Sequence, residues 1–183
     1  MYKDLKDKVV VITGAASGIG AAIVDRLAKE KCKIVINYFK EKKVAEEMVK
    51  IIKNKKGDAI AVYGDVGNEK DIKNLMAEGI KAFGEVDIWI NNAGHETPYP
   101  THEMPLEAWE SVINTNLTGV FLGAREALRH FIETNKKGNI INIISEFTVK
   151  IVQETFHFHD LSIKFRTALI LRGRSRESSY RTS

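Results

Sequence analysis

An α/β fold built on a doubly wound parallel sheet is predicted by three observations. Apolar runs of strand length alternate with helical periodicities along most of the chain. A glycine-rich turn, Thr13-Gly-Ala-Ala-Ser-Gly-Ile-Gly20, joins the first apolar run to the first helical stretch. Small or polar residues then stand at the ends of the later runs, where sheets of this kind place their ligands.

Taken in order, Val9-Val-Val-Ile-Thr13 reads as a buried parallel strand, and Ile19, Ile23 and Leu27 recur at helical spacing after it. Lys33-Ile-Val-Ile-Asn-Tyr38 is the second strand, and Val44, Met48, Ile51 and Ile52 mark the helix that follows. Ala59-Ile-Ala-Val-Tyr63 is the third strand; Ile72, Leu75, Met76, Ile80 and Phe83 make the next helical stripe; Val86-Asp-Ile-Trp-Ile90 is the fourth strand. A longer helix carries Trp109, Val112, Ile113, Leu117, Val120, Phe121, Ala124 and Leu128 as its apolar stripe. Gly138 precedes the fifth strand, Asn139-Ile-Ile-Asn-Ile-Ile144. The prediction is five strands with four intervening helices.

With 183 residues, 44% of them hydrophobic and 28% charged, the chain has enough apolar content for one substantial core. Residues 1–145 are expected to form that domain and residues 146–183 a basic, poorly ordered tail, since neither helical nor strand periodicity is sustained after Glu146. The start, Met1-Tyr-Lys-Asp-Leu-Lys-Asp-Lys8, has no apolar signal region and no run approaches a membrane span, so a cytoplasmic protein with no membrane partner is expected. Cys32 is the only cysteine, which excludes an intrachain disulfide and a cysteine metal cluster. The formal charge of +4 arises entirely from residue 160 onward, where Lys164, Arg166, Arg172, Arg174, Arg176 and Arg181 outweigh Asp160 and Glu177. The rest is formally neutral, and the tail lacks aromatic interleaving beyond Tyr180, so no specific nucleic-acid partner is expected. His157, His159 and Asp160 have no further ligands in sight, and no metal site is expected.

The glycine spacing is G-x-x-x-G-x-G. Gly14, Gly18 and Gly20 stand where a side chain would obstruct the turn, the approach of backbone to phosphate, or the packing of helix on strand. The helix start then favours a dinucleotide pyrophosphate through its N–H groups and dipole. The triphosphate-loop pattern G-x-x-x-x-G-K-[ST] is absent. Asn37 ends the second strand, where an acidic side chain would bind the adenosine ribose 2′-OH; with Lys40, Lys42 and Lys43 nearby, a 2′-phosphate is tolerated, which leans toward NADP without excluding NAD. Asp65-Val66 ends the third strand, and Asn91-Asn-Ala-Gly94 ends the fourth with small residues that let backbone lie close to a flat ring and ribose. Asn116, four residues after Val112 on the apolar stripe, needs a partner for its amide, either structural or a water at the site. Ser145 closes the fifth strand at the same mouth, placed to orient a substrate oxygen.

Together Thr13-Gly-Ala-Ala-Ser-Gly-Ile-Gly20, Asp65-Val66, Asn91-Asn-Ala-Gly94 and Asn114-Thr-Asn-Leu-Thr-Gly119 resemble the short-chain dehydrogenase/reductase family. Within it, Met1-Tyr-Lys-Asp-Leu5, Val35-Ile-Asn-Tyr38, His102-Glu-Met104 and Phe121-Leu-Gly123 are similar to bacterial glucose 1-dehydrogenases. The resemblance covers residues 1–145 and implies a Rossmann-like fold that binds NADP or NAD. It implies hydride transfer between nicotinamide and a sugar or similar alcohol, or the matching carbonyl. By it, Gly14, Ser17, Gly18, Ile19 and Gly20 hold the pyrophosphate, Asp65 and Val66 the adenine, and Asn92, Ala93 and Gly94 the region between adenine and nicotinamide ribose. It also implies a homo-oligomer assembled, in the family, through helices near residues 109–128 and a later helix without a counterpart in this sequence.

The family's chemistry rests on an Asn-Ser-Tyr-Lys set, of which Asn116 and Ser145 match. The tyrosine passes a proton to or from the reacting oxygen, and a lysine four residues later lowers its pKa. An ungapped continuation of the pattern places Phe158 and Ser162 there, and a two-residue insertion places Asp160 and Lys164 there, so neither restores the tyrosine. Tyr38 and Lys42 also make Y-x-x-x-K, but they follow the second strand, near adenosine. Loss of acid–base help costs about 10²–10⁴-fold in rate, so weak turnover is expected. The abrupt change after Glu146 suggests a sheet truncated after about the fifth strand, through a shifted reading frame or a shortened product. The alternative function is a non-catalytic nucleotide-binding remnant.

Overall fold

The structure is a computed structural model that describes residue 2 and residues 4–143. Its elements are β1 (Val9–Ile12), α1 (Gly18–Lys29), β2 (Lys33–Tyr38), α2 (Lys42–Asn54), β3 (Asp58–Tyr63), α3 (Glu69–Phe83), β4 (Ile88–Asn91), α4 (Leu106–Ile113), α5 (Gly119–Glu133) and β5 (Asn139–Asn142). The strands form one parallel sheet in the order β3-β2-β1-β4-β5. Strand order therefore reverses between β1 and β4, which is where a doubly wound, Rossmann-like sheet opens a crevice beyond its carboxyl ends.

The apolar runs dictate this arrangement because successive side chains point to opposite faces. In β1, Val9 and Val11 face one layer with Ile72, Leu75 and Met76 of α3 and Leu122, Ala127 and Phe131 of α5. Val10 and Ile12 face the other with Val24 of α1 and Ala45 and Ile52 of α2. Each fully buried Val or Ile contributes roughly 1.5–3 kcal/mol, so a run buried on both faces anchors two layers at once. The Asn68 side chain caps α3 by accepting from the N–H of Lys70 (2.9 Å) and Asp71 (3.4 Å), and Glu69 and Asp71 add favourable charge in the first turn.

The long helix departs from expectation. A π turn, Asn114–Thr118, joins α4 to α5, and its wider winding shifts the phase of everything beyond it. The buried face of α5 is Gly119, Leu122, Gly123, Ala127, His130 and Phe131, whereas Leu117, Phe121 and Leu128 of the predicted stripe are exposed. Val44 and Ile51 of α2 are likewise exposed, whereas Ile52 of the predicted stripe is buried, together with Ala45.

At the amino ends of the strands Asp87 gathers Lys8 Nζ (2.8 Å), Lys136 Nζ (3.1 Å) and the Val9 N–H (2.9 Å). Burial disfavours its charge, but the bonds from Lys8, Val9 and Lys136 win and hold the carboxyl below its ordinary value. Cys32 is buried with its thiol toward the Leu5 carbonyl, and burial pushes its pKa up to about 11, so it stays protonated. No helix among the described residues is long and apolar enough to cross a membrane.

Candidate functional site

The crevice is built around the chain leaving β1. Gly14 and Gly18 adopt φ of +57° and +50°, a region side chains rarely enter. A Cβ on Gly14 would lie 2.7 Å from the Ala93 Cα, so only a glycine lets the turn meet the chain leaving β4. A Cβ on Gly18 would meet nothing within 4 Å, so the space beside the start of α1 is open. Ser17 precedes the helix in an extended conformation with its hydroxyl unused as a cap, and no acidic side chain stands in the first turn. The first N–H groups of a helix have no partner within it, and here they open, with the positive end of the dipole, onto exposed Ser17, Gly18 and Ile19. Chemically, this is an anion cradle.

The end of β4 is bolted to that turn. Thr13 Oγ1 accepts from the N–H groups of Asn92 (2.9 Å) and Ala93 (3.0 Å), and its own proton points to the Ile90 carbonyl (3.4 Å). The Asn92 amide donates to the carbonyls of Thr13 and Gly14, both at 3.0 Å. Buried Gly20 packs against the Gly14 carbonyl and the Asn92 amide. Beneath them, Asn91 accepts from Trp89 Nε1 (2.7 Å) and donates to Asn142 Oδ1 (2.9 Å), locking β4 to β5.

The end of β3 enters through Asn37. Its Oδ1 accepts from the Gly14 N–H (3.1 Å) and its Nδ2 donates to the Gly64 carbonyl (2.9 Å), at a residue only 2% exposed. The side chain expected beside the ribose is therefore turned into the sheet, because a buried amide must satisfy both its donor and its acceptor. Phe39 and Lys40 are the exposed side chains that follow β2, with Phe39 stacked on Tyr63 at 6.0 Å between centroids. Asp65 turns the chain after β3 by accepting from the Gly67 N–H (2.9 Å), while Val66 is buried against Gly119 at the start of α5.

On the other side of the mouth, Asn116 sits within the π turn. Its Oδ1 accepts from the His95 N–H (2.8 Å) and its Nδ2 donates to the His95 carbonyl (2.9 Å). The expected partner of this amide is thus the backbone that follows Gly94. The structure brings Gly14, Gly20, Asn92, Ala93, Gly94 and Asn116 into one constellation, and Asn37 ties the Gly64 carbonyl, just before Asp65 and Val66, to the glycine turn. Ser145, Phe158, Asp160, Ser162 and Lys164 lie outside the described residues, as do His157 and His159. Sequence reasoning missed the role of Thr13; the signal was a hydroxyl ending a buried Val/Ile run, which must find partners.

Comparison with known proteins agrees with this architecture. The short chain dehydrogenase family profile matches residues 8–157. Glucose 1-dehydrogenase 2 of Bacillus subtilis is 44% identical over 146 residues, covering 79% of this chain and 57% of the relative. The 3beta-hydroxysteroid dehydrogenase 1 of Eggerthella lenta is 43% identical over 145 residues, covering 79% of this chain and 56% of the relative. Among solved structures, a short chain dehydrogenase from Bacillus anthracis superposes with a TM-score of 0.73 at 36% identity, covering 78% of this chain and 59% of the other. A blue fluorescent protein from a metagenomic library, in complex with NADPH, superposes with a TM-score of 0.72 at 31% identity, covering 80% and 59%. This chain belongs to the short chain dehydrogenase family. It spans just over half the length of the curated relatives it matches.

Proposed function

We propose that the crevice between β1 and β4 binds NADP or NAD and that the chain carries the cofactor-binding part of an oxidoreductase acting on a sugar or similar alcohol. The observation that carries this is the meeting of the glycine turn with the chain leaving β4 at the point where strand order reverses, beside an open, acid-free helix start. Gly14, Ser17, Gly18, Ile19 and Gly20 would hold the pyrophosphate, Asp65 and Val66 the adenine, and Asn92, Ala93 and Gly94 the ribose between the two rings. When bound, the nicotinamide supplies a hydride donor or acceptor. Lys40 is exposed after β2 and suits a 2′-phosphate. The names of two relatives, one for glucose and one for a hydroxysteroid, support an alcohol as substrate.

Ser145 would orient the reacting oxygen. Asn116, whose amide is spent on His95, would act by holding the chain that follows Gly94. By the family pattern the proton-transfer position would fall on Phe158 or Asp160 in place of tyrosine, and this favours a second reading, a nucleotide-binding protein with little turnover. An assay with glucose and both cofactors separates the two. Turnover should be at least about 10²-fold below that of the Asp160→Tyr variant, which keeps Lys164 four residues on. Full activity of the unaltered chain would refute the role given to that position. Failure of Asp160→Tyr and of the double variant Phe158→Tyr/Ser162→Lys to gain activity would favour the non-catalytic reading.

A further inference from the structure

Asn37 lies one residue before the end of β2, beside the place from which a sheet of this kind reads the adenosine ribose, yet the geometry gives it other work. Its carboxamide joins the turn after β1 to the end of β3: Oδ1 accepts from the Gly14 N–H at 3.1 Å, and Nδ2 donates to the Gly64 carbonyl at 2.9 Å and faces the Val62 carbonyl at 3.5 Å. The backbone of the same residue adds a third tie, its carbonyl accepting from the Ala15 N–H at 2.9 Å. At 2% exposure it offers a ribose hydroxyl no free polar atom. The chemistry also explains why an amide stands here. A carboxylate accepts from Gly14 but has no proton to donate, leaving two carbonyl oxygens facing a negative charge.

We infer that Asn37 is a positioning residue that fixes the Gly14 N–H, and with it the left-handed glycine turn, and that it does not discriminate NADP from NAD. This rests on the proposed dinucleotide reading of the crevice. The consequence runs against the usual expectation for this position, that placing an acid there turns preference toward NAD.

The test is Asn37→Asp, followed by thermal unfolding and by fluorescence titration with NADPH and with NADH. The midpoint of unfolding should fall, and both dissociation constants should rise together, by about tenfold for a lost hydrogen bond, with their ratio unchanged. A ratio shifted toward NADH at unchanged stability would overturn the inference and make residue 37 a ribose reader. Lower stability with both affinities unchanged would also overturn it, leaving a purely structural tie. Should Asn37→Asp fail to fold, amide hydrogen exchange of the unaltered chain still decides: Gly14 should exchange slowly without nucleotide, and exchange at the rate of an open turn would overturn the tie. Slow exchange at Gly14 in a chain that binds neither nucleotide would support the tie while refuting both the dinucleotide reading and the positioning role built on it.

Discussion

A single hydroxyl organises the mouth of this sheet. Thr13 Oγ1 satisfies the N–H groups of Asn92 and Ala93, so Thr13→Val keeps the volume but strands two inward-facing donors. We expect it to cost about 1–3 kcal/mol, measured from the denaturant midpoint, with Thr13→Ser recovering most of the loss. At this scale the sequence was legible where a residue's backbone demand is distinctive. Gly14 and Gly18, singled out by their spacing as places where a side chain would obstruct, adopt a positive φ that side chains rarely enter. It was less legible for polar side chains that serve the backbone. Asn37 and Thr13 sit near strand ends, as ligand-reading residues would, and only the positions of Gly64 and Ala93, far away in the chain, reveal that their polar atoms are turned inward.

The elements themselves were legible because a strand buried on both faces must be apolar throughout and a crossover helix must present one apolar stripe. All five strands overlap the apolar runs that predicted them, and helices lie between them where helical periodicity was read, although parts of the predicted stripes of α2 and the long helix face outward. The phase of the long helix was not legible, since nothing in the local pattern of Asn114-Thr-Asn-Leu-Thr118 marks a π turn. What marks it is tertiary: Asn116 clamps both backbone groups of His95 from inside the turn, and beyond the widened winding Phe121 and Leu128 stand exposed. Asn116→Ala should release the segment after Gly94. Faster proteolysis within residues 95–105, with the unfolding midpoint lowered by about 2–12 °C, is the expected result, since two partly exposed hydrogen bonds are worth about 1–3 kcal/mol together.

For the molecule as a whole, the two ends of the sheet do different work. The amino ends are fastened by Asp87 between Lys8 and Lys136, while the carboxyl ends are held open around the glycine turn. Because the Asp87 carboxyl is depressed in the folded state, its contribution is fully present above the unfolded value of about 3.9 and is lost as pH falls through the lower folded value. Urea midpoints of the unaltered chain and of Asp87→Asn should therefore differ near neutrality and converge on acidification below about pH 4. The face of the long helix carrying Leu117, Phe121, Leu128 and Ile132 is exposed, and we expect concentration-dependent self-association that Phe121→Glu abolishes in sedimentation. Central to the account is a dinucleotide held at the start of α1, and the most direct measurement is NADPH titration of the unaltered chain beside Gly18→Asp. An added Cβ there meets nothing within 4 Å, and aspartate tolerates the left-handed backbone better than most residues, so the variant should keep its fold while its carboxylate repels the phosphates. The unaltered chain should bind NADPH saturably and the variant should lose binding while still unfolding cooperatively; equal binding by the two, or no binding by an unaltered chain that unfolds cooperatively, would refute a dinucleotide site at this helix start.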